Sequence, residues 1–341
     1  MTALSTDLLS LPREALHFQL LSHFVERGQP SFRAGQVARW IFEARVRSFS
    51  EMTDLPADER EALEERFALS EPELSLNSVS EDGTEKQLWR LHDGELIESV
   101  LIPTPTRRTL CISSQAGCAM GCTFCSTGWG GFRRQLTAGE IVSQYRAVAR
   151  DLAERGLPPL TNLVFMGMGE PLANRKALMP ALDALNAGYG LGARRITVST
   201  VGVVPGILEL AQRPEQFRLA LSLHSPRTDL RRELIPLEQR YPLDEVMAAL
   251  EVFDAAGGKR ITFEYTLIRD VNDDPALIPE LAKLARRVRA FVNLIPFNPI
   301  PDQTWGPSGG SRIEEFERGL FERGIEAAVR VPRGRDIAAA C

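Results

Sequence analysis

Nowhere does the sequence contain an apolar run of the roughly 18 to 20 residues that a helix needs to cross a bilayer. The N-terminal stretch MTALSTDLLSLPREAL lacks the basic segment followed by an apolar one that marks an export signal, so a cytoplasmic location is expected. Cysteine is scarce, five in 341 residues, and an odd number in a cytosolic chain argues against a structural disulfide framework. No segment repeats itself and no low-complexity linker interrupts the chain, which excludes a solenoid or a string of tethered modules. Lysine is scarcer still, four against 36 arginines. A coding sequence rich in G and C produces that bias as readily as phosphate recognition by the guanidinium fork does, so the bias assigns nothing by itself. The net charge of -5 excludes coating nucleic acid by charge alone and leaves room for a local basic surface.

What is present is an ordinary globular composition, 44% apolar and 25% charged. The length suggests one large domain with a smaller companion. Residues 1–75 read as helical. Leu16, Leu20, Leu21 and Phe24 recur at helical spacing, Gly28 and Pro30 interrupt the pattern, and Val37, Trp40 and Ile41 restart it. A third helix is expected near Asp54 with Pro56 in its first turn. Three short helices with little core of their own suggest an accessory domain. Over 76–105 the period changes to two, and Asp93-Gly94 between two strand-like runs signals a linking β-hairpin. Leu96, Glu98, Val100 and Ile102 share one face of its second strand, which gives Glu98 apolar company. Residues 106–341 alternate, with strands expected at 161–166, 195–200, 217–223, 260–268, 290–296 and 327–331 and amphipathic helices between. One of those helices opens with Thr137 and Glu140 at capping-box spacing. The fold class is therefore α/β, a parallel sheet with crossover helices, open or closed into a barrel, with its ligand site at the carboxyl ends of the strands.

Three of the cysteines, Cys118, Cys122 and Cys125, form C-x3-C-x2-C in the loop after the first strand of the alternating region. Such clustering points to a metal. A structural zinc wants four protein ligands, as does an ordinary ferredoxin cluster, whereas three thiolates can hold three irons of a [4Fe-4S] cube and leave the fourth open. The spacing, with Phe124 between the last two cysteines, resembles that of the radical S-adenosylmethionine (SAM) enzymes. Gly167, Gly169, Glu170 and Pro171 in MGMGEP follow the next strand, where small residues let backbone approach a ligand and a carboxylate can meet an ammonium group. Glycines after a strand more often make a turn; behind this cysteine loop the motif gains weight.

Together the motifs resemble the RlmN/Cfr radical SAM RNA adenine methyltransferases, the RlmN branch more than the Cfr branch. The resemblance spans nearly the whole chain: FRAGQVARWIF, DGTEKQLWRLHDGELIESVLIP, CISSQAGCAMGCTFCSTGWGGFRRQL, MGMGEPLAN, ITVSTVGVVP, LALSLHSP, RRELIP, NLIPFNPIP and RGRDIAAAC. It implies a radical SAM partial (β/α) barrel with one [4Fe-4S] cluster on Cys118, Cys122 and Cys125. It implies SAM bound by Gly169, Glu170, Ser199, Ser222, Leu223, His224 and Asn298, two molecules being used per turnover. Without it, the serines, His224 and Asn298 would read as strand-end and turn residues. The implied reaction is methylation of adenine C2 in 23S rRNA and in some tRNAs. Cys341 becomes the S-methylcysteine intermediate, Glu98 is the general base, and Cys111 is the resolving cysteine that forms a transient disulfide with Cys341. The implied partners are those RNAs, met by the accessory domain, and a low-potential electron donor such as flavodoxin or ferredoxin. The enzyme is expected to act as a monomer without a membrane.

An apolar setting would raise the carboxyl pKa of Glu98 toward the working range of a base; the alternative is an edge-strand glutamate paired with an arginine. Two departures from the family pattern stand out: the chain stops at Cys341 where members usually continue, and Arg335 stands where an acidic residue is more usual. Competing readings are C8 methylation of the same adenine, another radical SAM enzyme such as an activase, and a zinc-containing RNA-binding protein. The activase reading gives Cys111 and Cys341 no role.

Overall fold

The computed structural model describes residues 5–257, 260–300 and 304–339, and Cys341 lies outside them. The helical start of the chain forms α1 (Arg13–Glu26), α2 (Phe32–Arg39) and α3 (Ala57–Arg66), with Pro56 at the N-terminal cap of α3. Leu16, Leu20 and Phe24 of α1 point into a small core with Val37, Ile41 and Phe67. That core is separate from the main one, yet the unit is firmly docked. Its anchor is α4 (Ala138–Glu154), whose capping box is formed as expected: Glu140 N donates to Thr137 Oγ1 at 3.1 Å, and Thr137 N donates to Glu140 Oε2 at 2.9 Å. From α4, Gly139 N donates to Ser10 Oγ at 2.9 Å, Arg146 to the Val46 carbonyl at 2.7 Å and Arg150 to the Arg45 carbonyl at 2.8 Å.

The main sheet has ten strands among the described residues. They are β1 (Glu73–Val79), β2 (Glu85–Arg90), β3 (Leu96–Pro103), β4 (Arg108–Cys111), β5 (Asn162–Phe165), β6 (Ile196–Thr200), β7 (Arg218–Ser222), β8 (Ile261–Leu267), β9 (Phe291–Pro296) and β10 (Ala327–Val329). Every strand pairs with its neighbours in sequence. The pairs from β1 to β4 are antiparallel, and those from β4 to β10 are parallel. Successive parallel strands joined by crossovers of one hand place the crossover helices on one face of the sheet. Burial agrees. Leu163, Phe165, Val198, Leu219, Leu221 and Phe263 are fully buried on the helix side. The alternate residues Thr197, Ser199, Ser222, Glu264 and Asn293 face the concave side. The result is the partial barrel that the sequence implied.

Each strand expected in the alternating region is present, shorter by one or two residues at its ends. The hairpin about Asp93-Gly94 is formed by β2 and β3, and together with β1 it extends the barrel sheet itself by three antiparallel strands. The Asp93-Gly94 turn is where it was expected, with Gly94 at φ 88°. Among the described residues no helix is long and apolar enough to cross a membrane.

Candidate active site

The cysteine loop leaves β4 through a short strand, Gln115–Gly117, which pairs with Phe132–Gln135 and so pins both ends of the loop. Gly117 sits at φ 73°, and a Cβ there would stand 2.0 Å from the Gly131 carbonyl oxygen, so the pinch requires glycine. Cys118 N donates to that carbonyl at 2.9 Å, and Thr123 N donates to the Leu234 carbonyl at 3.1 Å. Below the loop lies an apolar bed of Leu234, Ile235, Ile268 and Phe297, against which Met120, Phe124 and Cys125 pack.

Cys118, Cys122 and Cys125 are thiols rather than disulfide partners. Burial, with the neighbouring thiols adding to it, pushes the Cys122 thiol far up, and burial raises Cys118 to about 11. Buried thiols that repel one another as thiolates suit a cationic group that displaces their protons. Among the described residues no three His, Cys, Asp or Glu side chains converge closely enough to hold a single ion. Three thiols on one loop fit a cluster that seats each thiolate on its own corner.

Around this loop the structure gathers the residues expected to hold SAM, all at the carboxyl ends of β5 to β9. Gly169, at φ 96°, lies where a Cβ would stand 2.5 Å from Gln115 Cβ. Ser199 and Ser222 face the concave side near the ends of β6 and β7, and Asn298 follows β9. The Leu223 side chain belongs to the main core, and its N–H donates to the Glu264 carbonyl at 3.0 Å.

His224 is buried with φ 53°, and its Nδ1 accepts from Thr266 N at 3.0 Å. Burial pushes its imidazole down to about 3, so the ring is neutral and carries its proton on Nε2. That buried Nε2 has no hydrogen-bond partner among the described residues, and the ring lies 4.2 Å from Phe124 of the cysteine loop. An orphaned donor beside the loop fits a site shaped for a polar ligand.

Glu170 has partners within the fold itself. It is 3% exposed, and its oxygens accept from Leu172 N at 3.0 Å and Val201 N at 2.9 Å. Burial lifts its carboxyl to about 7. Its first task is to tie the end of β5 to the end of β6.

Glu98 also differs from expectation. Leu96, Glu98, Val100 and Ile102 do share a face, but it is the open concave face; Ile97, Ser99 and Leu101 face the core. The Glu98 side chain is 42% exposed, and its nearest cation is Lys86, with Nζ 3.9 Å from Oε1. The apolar neighbours Leu96, Val100 and, across the strand pair, Leu88 are there, but the side chain is not buried among them. Cys111 pairs with Val100, so its side chain shares that concave face one residue pair from Glu98. The sequence reading missed Glu264 and Asn293, whose side chains meet on the concave face at 3.2 Å and 3.3 Å. Their signal was present: Thr262, Glu264 and Thr266 alternate with the apolar Ile261, Phe263, Tyr265 and Leu267.

Comparison with known proteins agrees with this geometry. Residues 112–278 match the model of the radical SAM superfamily, and residues 6–69 match that of the ribosomal RNA large subunit methyltransferase N-terminal domain. A probable dual-specificity RNA methyltransferase RlmN of Gemmatimonas aurantiaca is 50% identical over 337 residues, covering 98% of this chain and 92% of its own. The dual-specificity RNA methyltransferase RlmN of Anaeromyxobacter sp. strain Fw109-5 is 45% identical, covering 98% and 89%. Among solved structures, a radical SAM methyltransferase from Sphaerobacter thermophilus superposes with a TM-score of 0.93 at 45% identity, covering 98% of each chain.

Proposed function

This chain belongs to the RlmN family of radical SAM RNA methyltransferases, and from that premise we propose that it methylates C2 of an adenine in 23S rRNA and in tRNA through Cys341, Glu98 and Cys111. The observation that supports the residue assignment is that Glu98 and Cys111 share one face of two paired strands, Glu98 half-exposed and Cys111 buried. When bound, a [4Fe-4S] cluster on Cys118, Cys122 and Cys125 supplies the one-electron cleavage of SAM to methionine and a 5′-deoxyadenosyl radical. Phe124 and the apolar bed keep water from the loop.

The chain's own residues do the rest. The Cys341 thiolate takes a methyl group from the sulfonium of one SAM and releases S-adenosylhomocysteine. That methyl group gives up one hydrogen atom to the radical from a second SAM, and its carbon bonds to adenine C2. Glu98 accepts the proton lost from C2. The Cys111 thiolate then attacks the Cys341 sulfur, the carbon–sulfur bond breaks, and the freed carbon is protonated to the product methyl. Before that attack the adduct's unpaired electron passes back to the low-potential centre that spent one in cleaving SAM, and the resulting disulfide is reduced by an external dithiol. The low-potential donor is of the flavodoxin or ferredoxin kind, the N-terminal helical unit presents the RNA, and the enzyme acts as a cytoplasmic monomer.

Cys111→Ala tests this reading. Lacking the thiolate that attacks last, it is expected to stall as protein joined to RNA through Cys341, whereas Cys341→Ala never forms that species. Denaturing gels with labelled RNA decide the matter. No retained RNA with Cys111→Ala, or equal retention with both variants, overturns the assignment.

A further inference from the structure

Residues 330–339 leave the β10 edge of the sheet and return to its other edge, at the turn between β1 and β2. There Asp336 accepts from Ser80 Oγ at 2.6 Å and from Glu81 N at 3.3 Å, and Gly334 N donates to Asp82 Oδ2 at 3.1 Å. Past this clasp the described chain has one more side-chain hold, from Lys86, whose Nζ donates to the Ala338 carbonyl at 3.2 Å. The same ammonium lies 3.9 Å from Glu98 Oε1. Ala338 sits at φ 50°, a left-handed conformation that a residue with a Cβ keeps only where its surroundings impose it.

The strand register gives these contacts a direction. Lys86 on β2 pairs with Val100 on β3, and Val100 pairs with Cys111 on β4. Lys86 and Cys111 thus stand in one row, two strand spacings or about 10 Å apart. Cys341 is three residues beyond Ala338 in sequence, and three residues of chain reach at most about 10 Å. An anchor at Lys86 therefore matches the span that a meeting of Cys341 with Cys111 requires.

We propose that Lys86 is a positioning residue of the methyl transfer: one ammonium ties the end of the chain to Glu98, so that the methyl-carrying cysteine, the base and the resolving cysteine work from a common point. The inference rests on the roles assigned above to Cys341, Glu98 and Cys111. Lysine suits the task because a compact ammonium on a flexible stem can serve a carbonyl and a carboxylate together. A plain diagonal cross-strand ion pair would contribute a little stability and nothing to the cysteines.

The test uses the full chain carrying its cluster, with Lys86→Met, Lys86→Arg and Asp336→Ala compared with the parent. Oxidised glutathione serves as the oxidant, and peptide mass spectrometry follows formation of the Cys111 to Cys341 disulfide. Loss of positioning is expected to slow that step by about tenfold or more in Lys86→Met and in Asp336→Ala, with recovery in Lys86→Arg. Turnover on RNA should fall in kcat with KM unchanged, while iron content and thermal midpoint stay at the parent's values. Disulfide formation and kcat at the parent's level in Lys86→Met overturn the proposal. A parent that never joins Cys111 to Cys341 and never carries methyl on Cys341 overturns instead the residue roles on which it stands.

Discussion

Glu170 shows how one side chain can hold the fold together at the place where the sequence expects a carboxylate to meet a ligand. Its motif was legible because glycines and a carboxylate follow a strand. Its true partner Val201 was not, since a contact made 31 residues away leaves no local trace. Two backbone N–H groups depend on it, and each buried donor left unpaired costs about 1–3 kcal/mol, so Glu170→Ala should lose about 2–6 kcal/mol. Urea denaturation at neutral pH measures that loss. The pH dependence has a definite sign. In the unfolded chain the carboxyl ionises near 4.5, whereas in the native protein burial holds it to about 7. Between those values the native state binds more protons than the unfolded one, so stability falls as pH rises from about 4.5 to about 7 and then levels off. Glu170→Gln has no such titration, and its stability should lack that drop. An identical pH profile in parent and Glu170→Gln would show that another group controls it.

Among elements, β3 carries the clearest lesson about what periodicity can tell. Alternation showed that Leu96, Glu98, Val100 and Ile102 lie on one side, and they do. It could not show which side is core, because in a partial barrel one face of a strand packs on helices and the other lines an open cavity. Ser99 settles the matter only in three dimensions, donating to Gln144 of α4 at 3.0 Å. The capping box of α4 and the Asp-Gly turn were legible because each is complete within a few residues. The clasp between 330–339 and the β1–β2 turn was not, since its halves lie about 250 residues apart and consist of common turn residues. Gly334 is its tightest point. With φ 62° and a would-be Cβ 2.9 Å from Ala339 Cβ and 3.0 Å from Thr84 Cγ2, Gly334→Ala should open the clasp without touching Glu98 or the cysteine loop. Hydrogen exchange should then quicken in residues 330–339 and stay unchanged in β5 to β9. Equal protection in parent and variant would mean that the clasp tolerates the methyl group.

For the whole molecule, an accessory domain over residues 1–75 would ordinarily be removable while sparing the barrel. The structure gives a different expectation. Arg146 of α4 has a fully buried side chain, and its hydrogen bond to the Val46 carbonyl joins the two units. Arg150 bonds the Arg45 carbonyl and pairs with Glu71. Tyr189 of the barrel packs edge-on against Phe42 at 5.1 Å. Deleting residues 1–75 therefore strips polar and aromatic partners from the barrel's longest helix and should destabilise the whole protein, so loss of methylation in that deletion cannot by itself establish an RNA role. Substitution in place is the cleaner test. A groove of about 950 Å³ lies between the units, lined by Arg13, His17, Arg39, Phe42 and Tyr189. Arg13 and Arg39 have no carboxylate partner within ion-pairing distance among the described residues, and Arg13 stands over the Phe42 ring at 5.3 Å. If this unit presents RNA, each arginine neutralises about one phosphate, and Arg13→Gln with Arg39→Gln should flatten the dependence of log affinity on log salt by about 1 to 2. SAM cleavage without RNA should be untouched, because neither side chain lies near the cysteine loop. An unchanged salt slope in the double variant would move the RNA contact away from this groove.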